Sequence, residues 1–436
     1  MTNARKIAVD ILCSVESDSA YSNITVSKYL KDGNLNPCDK ALVSNLVYGV
    51  LDRKITLDYI ISRFITSKVS KLKPVTLNSL RLALYQIKYL EKIPDSAAVN
   101  ESVNIVKASK ERYNSSFVNG VLRSFLRKGC EIPDDDSLTS LSVKYSCPVS
   151  LIESYINDYG LSAAKGILDF SLLAPPVILR VNNCKTNSEK LQERLLTEGI
   201  DSCIERENCL RVKSGEGKLF CGSAFKDGLF HVQDTASQIS VEKAELKPKT
   251  RILDMCSAPG GKAFTAAEII GDDGEIIACD KYEKRTALIS NGAKRLGLKS
   301  ITCKTADATF YNKDLGKFDS VLCDVPCSGL GVIRRKPEIK YKPMKQLEAL
   351  PDTQRKIINN AAEYVKPGGT LIYSTCTVSR TENDDIVDEF LKEHSDFVPV
   401  VVPLNIKGLE DSYKRTMLPC DVNGDGFFTA TLRKVK

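Results

Sequence analysis

The chain has 436 residues, 42% of them hydrophobic and 27% charged, with a formal net charge of +7, which predicts two or three domains of ordinary globular composition. Its 15 cysteines are odd in number and contain no CxxC pair, and it has only two histidines, His231 and His394; a disulfide scaffold and a zinc ribbon are both disfavoured, and no metal site is expected. So many free thiols fit a reducing cytoplasmic setting, and with no run of about 18 apolar residues no membrane span is expected.

The opening Met1-Thr2-Asn3-Ala4-Arg5-Lys6, with Asp10 interrupting the apolar stretch behind it, reads as a helix start and not as a signal peptide. Apolar stripes at helical spacing follow: Ile7, Ile11, Leu12 and Val15; Leu42, Leu46, Val47, Val50 and Leu51; Leu77, Leu80, Leu84, Ile87 and Leu90; Val99, Val103 and Val106; Val118, Val121, Leu122 and Phe125. Pro37, Pro74 and Pro94 fall between stripes and mark helix boundaries. Residues 1–135 are therefore expected to form an all-α bundle of six or seven helices. Residues 1–130 carry 20 Lys+Arg against 11 Asp+Glu, so the rest of the chain is close to neutral. Such an excess fits a polyanion partner; a solvated basic face, or a docking module for protein, is the plainer alternative.

The polar, acidic stretch Cys130-Glu131-Ile132-Pro133-Asp134-Asp135-Asp136 reads as a linker. Residues 136–230 are expected to hold further helical pieces and then a small α+β module, with a strand at Val177–Val181, a helix from Ser188 to Glu198 and a strand at Cys209–Val212. Residues 231–436 read as the third domain. From Lys249 onward strands and helices alternate: strand Arg251–Met255, helix Ala263–Ile270, strand Glu275–Cys279, helix Tyr282–Leu296, strands Ile301–Lys304 and Asp319–Cys323, helix Gln346–Val365 and strand Thr370–Tyr373. That alternation predicts a doubly wound, parallel α/β sheet of Rossmann-like type.

Ligands of such sheets bind beyond the carboxyl ends of the strands, near helix N-termini. At the first strand's end stands Leu253-Asp254-Met255-Cys256-Ser257-Ala258-Pro259-Gly260-Gly261-Lys262. This glycine-rich turn fits neither GxGxxG nor GxxxxGK[ST]. Asp280, directly after the second strand, is placed to accept from ribose hydroxyls, and Asp307, just after the third, from a base amine. Either could be an ordinary strand-end cap; with Cys256, Ser257, Ala258, Pro259, Gly260, Gly261 and Lys262 they make a case for S-adenosyl-L-methionine. The fourth strand ends in Asp324-Val325-Pro326-Cys327-Ser328-Gly329-Leu330-Gly331 and the fifth in Ser374-Thr375-Cys376-Thr377. In a doubly wound sheet both tips face one crevice, which gathers two thiols and a carboxylate at one rim.

These three motifs resemble those of the NOP2/Sun RNA cytosine-5 methyltransferases. Val232-Gln233-Asp234-Thr235-Ala236-Ser237-Gln238, Arg334-Arg335-Lys336-Pro337-Glu338 and Asp425-Gly426-Phe427-Phe428 are similar to further segments of that family. The N-terminal part resembles the antitermination factor NusB through Leu46-Val47-Tyr48-Gly49-Val50-Leu51, Ala98-Val99-Asn100-Glu101-Ser102-Val103 and Val118-Asn119-Gly120-Val121-Leu122-Arg123. The combination implies the bacterial subfamily that modifies small-subunit (16S) ribosomal RNA, free or partly assembled, without implying an oligomer.

The resemblance implies Cys376 as the nucleophile, Cys327 as an aid to release, and Asp324 as the partner of the base, counted with the cofactor site as well. A thiolate adding to C6 of cytosine makes C5 nucleophilic, so one hard step becomes two easier ones. A DNA-type enzyme would instead attack with the Pro-Cys cysteine, Cys327. Lys262, Arg334 and Arg335 are candidate RNA contacts, although each could be a surface cation. A binding or assembly factor that retains the fold without the chemistry is the alternative from another class.

Overall fold

The computed structural model describes residues 4–18, 22–32, 35–343, 347–403 and 409–436. The chain divides into two compact units, residues 1–173 with 333–342, and residues 174–332 with 343–436.

The first unit is helical: α1 Ala4–Asp18, α2 Ser22–Asp32, α3 Pro37–Asp52, α4 Lys54–Ser62, α5 Pro74–Tyr89, α6 Asp95–Lys107, α7 Ser115–Lys128, α8 Leu138–Tyr145 and α9 Val149–Ser171. The three prolines act as expected. Pro37 and Pro74 occupy the first position of α3 and α5, where no N–H is needed, and Pro94 caps α6. Asn36 adds a side-chain cap, accepting from Asp39 N at 2.8 Å. The central helix α5 is buried on most of its circumference, even at Arg81. That guanidinium is satisfied by Asp58, at 2.7 and 2.8 Å, and by Glu16, at 2.7 Å, so its charge is paired where it leaves water.

The compact unit runs past residue 135. Thr56 Oγ1 donates to Val143 O at 2.5 Å, and Ile55 N to Ser146 Oγ at 2.9 Å, which ties α4 to α8 and the turn behind it. Segment 333–342 packs into the same unit. Lys340 is buried and donates to Asp52 O at 3.0 Å and Oδ1 at 2.9 Å, and Tyr341 OH donates to Ser146 O at 3.2 Å.

The second unit holds two sheets. The smaller is antiparallel, in the order β2 (Asp201–Arg206), β3 (Cys209–Ser214), β1 (Ile178–Val181) and β4 (Phe230–Val232), and α10 (Ser188–Thr197) closes its core through Leu191 and Leu195. The short α11 (Ser223–Lys226) precedes β4, and α12 (Thr235–Glu242) follows it. Strand β2 escapes the sequence reading because Asp201–Arg206 is mostly polar and faces solvent in part.

The larger sheet has a parallel portion ordered β9 (Val365–Thr375), β8 (Phe318–Asp324), β5 (Arg251–Asp254), β6 (Glu275–Asp280) and β7 (Ile301–Thr305). Helices α13 (Gly261–Ile269), α14 (Glu283–Leu296), α15 (Leu350–Tyr364) and α16 (Asp384–Glu393) alternate with these strands. The N-terminal end of the helix expected from Gln346 lies outside the described residues, and the described helix begins at Leu350. The sheet is not wholly parallel. Strand β12 (Phe427–Lys434) runs antiparallel to β9, and β10 (Phe397–Pro399) and β11 (Lys414–Met417) pair antiparallel with β12. Chain order reverses between β5 and β8, and such a switch point opens a crevice at the strands' carboxyl ends.

Candidate active site

The glycine-rich turn leaves β5 at Asp254 and enters α13 at Gly261. Ser257 N donates to Cys279 O at 2.8 Å, and Gly260 N to Ser257 O at 2.7 Å, which closes the turn. Gly260 has φ +111°, a conformation that an L side chain resists. The leading N–H groups of α13 lack intrahelical partners and favour an electron-rich group beside them.

Several observations test whether S-adenosylmethionine fits here. Asp254 and Ser257 are buried together beneath the turn, and burial, outweighing the Ser257 hydroxyl and Cys256 backbone beside it, pushes the Asp254 carboxyl up to about 7. Asp280 is 2% exposed at the end of β6, with Arg285 at 3.0 Å and Tyr282 N at 3.2 Å. Beyond β7, Asp307 pairs with Lys281 at 2.8 Å and accepts from Thr309 N at 3.0 Å. The Lys281 ammonium and Thr309 hold its carboxyl down at about 2. Asp307 lines a shallow cleft open to solvent, with Met255, Cys279, Ala306, Phe310 and Tyr364. An apolar cleft with an ionised carboxylate at its edge suits a purine and its amine, and Asp280 suits a ribose. The donor set fits the cofactor.

At the other side of the switch point, Asp324 closes β8. Its Oδ2 receives Lys262 Nζ at 2.7 Å and its Oδ1 receives Ser374 Oγ at 3.1 Å. Lys262 is thus no surface lysine: it is mostly buried and also lies 4.8 Å from the centre of the Phe427 ring. The ion pair joins the first residues of α13 to the tips of β8 and β9. A carboxylate has about four lone-pair sites, so Asp324 keeps acceptor capacity for a base.

Cys327 and Cys376 meet with their sulfurs 3.2 Å apart. The contact to Cys376 and burial raise the Cys327 thiol well above its ordinary range, so Cys327 keeps its proton at neutral pH. Their loops interlock by backbone: Gly331 N donates to Cys376 O at 3.0 Å, and Gly426 N to Gly331 O at 2.8 Å. Asp234 caps α12, accepting from Ala236 N at 3.0 Å, and also accepts from Asp425 N at 3.1 Å. Gln233 accepts from Thr265 Oγ1 at 2.6 Å beneath the glycine turn.

The second unit therefore brings together the glycine turn, Lys262, Asp280, Asp307, Asp324, Cys327 and Cys376. Arg334 and Arg335 fall in the segment that belongs to the helical unit, where Arg334 is buried and Arg335 half-buried. Sequence reasoning missed Asp254, Gln354, Glu382 and Asn383. Glu382 and Asn383 stand six and seven residues after Cys376 in the polar run Ser379–Asp385, which alone reads as a loop.

A family model described as 16S rRNA methyltransferase RsmB/F matches residues 243–433, and the NusB family model matches residues 2–127. The chain is 38% identical to the probable ribosomal RNA small subunit methyltransferase B of Bacillus subtilis, over 99% of both chains. It is 33% identical to its namesake from Synechocystis, over 100% of both. Among solved structures, NSun6 from Pyrococcus horikoshii, determined with SFG, aligns with 66% of this chain and 98% of its own at TM-score 0.58 and 24% identity. The crystal structure of PH0851 aligns with 100% of this chain and 99% of its own at TM-score 0.83 and 23% identity, a likeness of fold.

Proposed function

This chain belongs to the RsmB/F family of 16S rRNA methyltransferases, and from that premise we propose that it methylates C5 of a cytosine in 16S rRNA through a covalent Cys376 adduct at C6. The methyl donor is S-adenosyl-L-methionine, whose analogue SFG accompanies the NSun6 relative. The observation that carries the reading is the pair of sulfurs at 3.2 Å beside an Asp324 held by Lys262 and Ser374.

The cofactor supplies an electrophilic methyl group; the remaining work falls to the protein. The glycine turn, Asp280 and Asp307 bind and orient the donor. Asp324 accepts from the exocyclic amine of the cytosine and so orients the ring, and the Lys262 ammonium paired with it offsets the negative charge that builds as sulfur adds to C6. The two sulfurs lie within hydrogen-bond distance, so one thiol can assist the other. The likeness of the Ser374–Thr377 strand end to the NOP2/Sun motif supports Cys376 as the attacking group, with Cys327 beside it. After methylation the C5 proton passes to solvent water, its electron pair re-forms the C5=C6 bond, and the C6–S bond breaks so that Cys376 departs as thiolate; a Cys327 S–H is close enough to hydrogen-bond that departing sulfur. The target base must leave its stack, at a cost of a few kcal/mol. The basic helical unit contributes phosphate contacts that help to offset it.

The test is transfer of labelled methyl from S-adenosylmethionine to 16S rRNA, followed by digestion to nucleosides. The reading predicts 5-methylcytidine. Label at cytosine N4, or on another base, would contradict it.

A further inference from the structure

A buried set of polar side chains grips the backbone on both sides of Cys327 and the two neighbours of Cys376. On α15, Gln354 is 0% exposed, and its Nε2 donates to Pro326 O at 3.0 Å and to Glu382 Oε2 at 2.8 Å. Glu382, 3% exposed, accepts from Ser328 N at 2.9 Å on the same oxygen. Pro326 O and Ser328 N belong to the two peptide groups that flank Cys327, so both dihedrals that aim its side chain are pinned. The next residue holds both neighbours of Cys376, Thr375 through its hydroxyl and Thr377 through its carbonyl. Thr375 Oγ1 donates to Asn383 Oδ1 at 2.6 Å, and Asn383 Nδ2 donates to Thr377 O at 3.0 Å. Tyr373 OH donates to the Glu382 carbonyl at 2.7 Å, and the Ser328 and Thr377 hydroxyls meet at 2.7 Å.

This arrangement is costly unless it is used. Burying a carboxylate and two amides takes them out of water, and each must recover its hydrogen bonds from the protein. Apolar side chains would fill the same space without that demand. What a hydrogen-bonded set provides is direction: it fixes the groups on either side of each cysteine relative to one another, which packing alone does not.

We propose that Glu382 and Asn383, with Gln354, are positioning residues that set the distance between the two sulfurs, Glu382 and Gln354 holding the Cys327 side and Asn383 the Cys376 side. None of the three touches the reacting atoms. The inference rests on the assignment of attack to Cys376 and release to Cys327, and deepens it by making the two functions separable at residues remote from the chemistry.

The consequence is a split phenotype. Loosening the Cys327 side should spare attack and methyl transfer and slow elimination, so that covalent protein–RNA adduct accumulates. Loosening the Cys376 side should slow attack, so that no adduct accumulates. A hydrogen bond to a charged group contributes enough that its loss should slow the affected step about 10- to 100-fold.

The experiment uses the full-length enzyme with 16S rRNA and labelled S-adenosylmethionine, comparing E382A, Q354M and N383A with C327A and C376A. Adduct is read on a denaturing gel, first-turnover methyl transfer and steady-state release are timed separately, and cofactor affinity and melting temperature are recorded for each variant. We expect E382A and Q354M to accumulate labelled adduct with first-turnover transfer preserved, N383A to lose first-turnover transfer without adduct, and E382Q, which keeps an acceptor for Ser328 N, to restore much of the release rate. If E382A does not fold, Q354M gives the same readout, and E382Q remains the variant expected to keep release. A merely structural role predicts equal losses in both steps and no adduct in any of the three; that result, with C327A trapping normally, overturns the inference and leaves the roles of the cysteines standing. If C327A itself traps nothing, the assignment of release to Cys327 fails and the inference falls with it.

Discussion

Gly331 packs its backbone against both Gly426 and the Cys376 carbonyl, and Gly331→Ala is a sharp perturbation of the site. A Cβ at this position would overlap the Gly426 carbonyl oxygen, with Gly426 C at 2.6 Å and Cys376 O at 2.9 Å. All three are backbone atoms, so no rotamer change relieves the overlap. The backbones must separate by about 1.5 Å to reach an ordinary contact distance, and overpacking of this kind costs about 1–3 kcal/mol. Separation also strains the Gly331 N to Cys376 O and Gly426 N to Gly331 O hydrogen bonds, and so displaces Cys376 directly. A displacement of about 1 Å at a reacting group lowers turnover about 100-fold. Cofactor binding should be almost unchanged, because the glycine turn, Asp280 and Asp307 lie on other strands. Gly120→Ala on α7 is the matched control. Its added Cβ meets nothing within 4 Å, so it should be neutral or stabilise by about 0.5–1 kcal/mol. Thermal melts, calorimetric S-adenosylmethionine binding and methyl transfer to 16S rRNA decide the matter. Wild-type turnover in Gly331→Ala would show that the interlock does not place Cys376.

Asp280→Ala should weaken S-adenosylmethionine binding by about 1.5–3 kcal/mol, the value of a charge-assisted hydrogen bond; calorimetry showing unchanged affinity would remove Asp280 from the cofactor site. Burial raises the Asp254 carboxyl from 3.8 to about 7 in the folded chain, so the unfolded chain loses this proton first as pH rises. Its contribution to stability is therefore lost between about pH 4 and pH 7, up to about 4 kcal/mol. Asp254→Asn should flatten that dependence and be the more stable form at pH 8 in denaturant titrations; a parallel pH profile would refute it. Replacing the exposed Lys110, Arg112 and Arg123 by glutamine should lower RNA affinity and reduce the salt slope by about one for each phosphate no longer neutralised. An unchanged slope would show that these three side chains bind no phosphate.

The parts of the molecule most legible in the sequence were those with a short-range signal. Leu46, Val47, Val50 and Leu51 keep helical spacing and are buried in α3, and Pro37 and Pro74 begin helices where their missing N–H costs nothing. The glycine turn and both cysteine motifs were visible because each follows an apolar strand, and strand order then places their tips at one switch point. Strand β2 was not legible because Asp201–Arg206 is polar at most positions. The antiparallel edge of the large sheet was missed because its pairing is non-local: Phe427–Lys434 pairs with β9 more than fifty residues earlier. The clasp around the cysteines was missed for a related reason. Gln354, Glu382 and Asn383 are ordinary polar residues in sequence, and only the fold buries them against Pro326, Ser328, Thr375 and Thr377.

The central claim is that Cys376 forms the covalent bond and Cys327 helps to break it. The most direct measurement incubates wild type, Cys327→Ala, Cys376→Ala and the double variant with labelled 16S rRNA and S-adenosylmethionine, and resolves the products on a denaturing gel. The account predicts a slow-migrating protein–RNA band in Cys327→Ala alone, absent from Cys376→Ala and from the double variant. A band in Cys376→Ala, with none in Cys327→Ala, would make Cys327 the nucleophile and contradict the account.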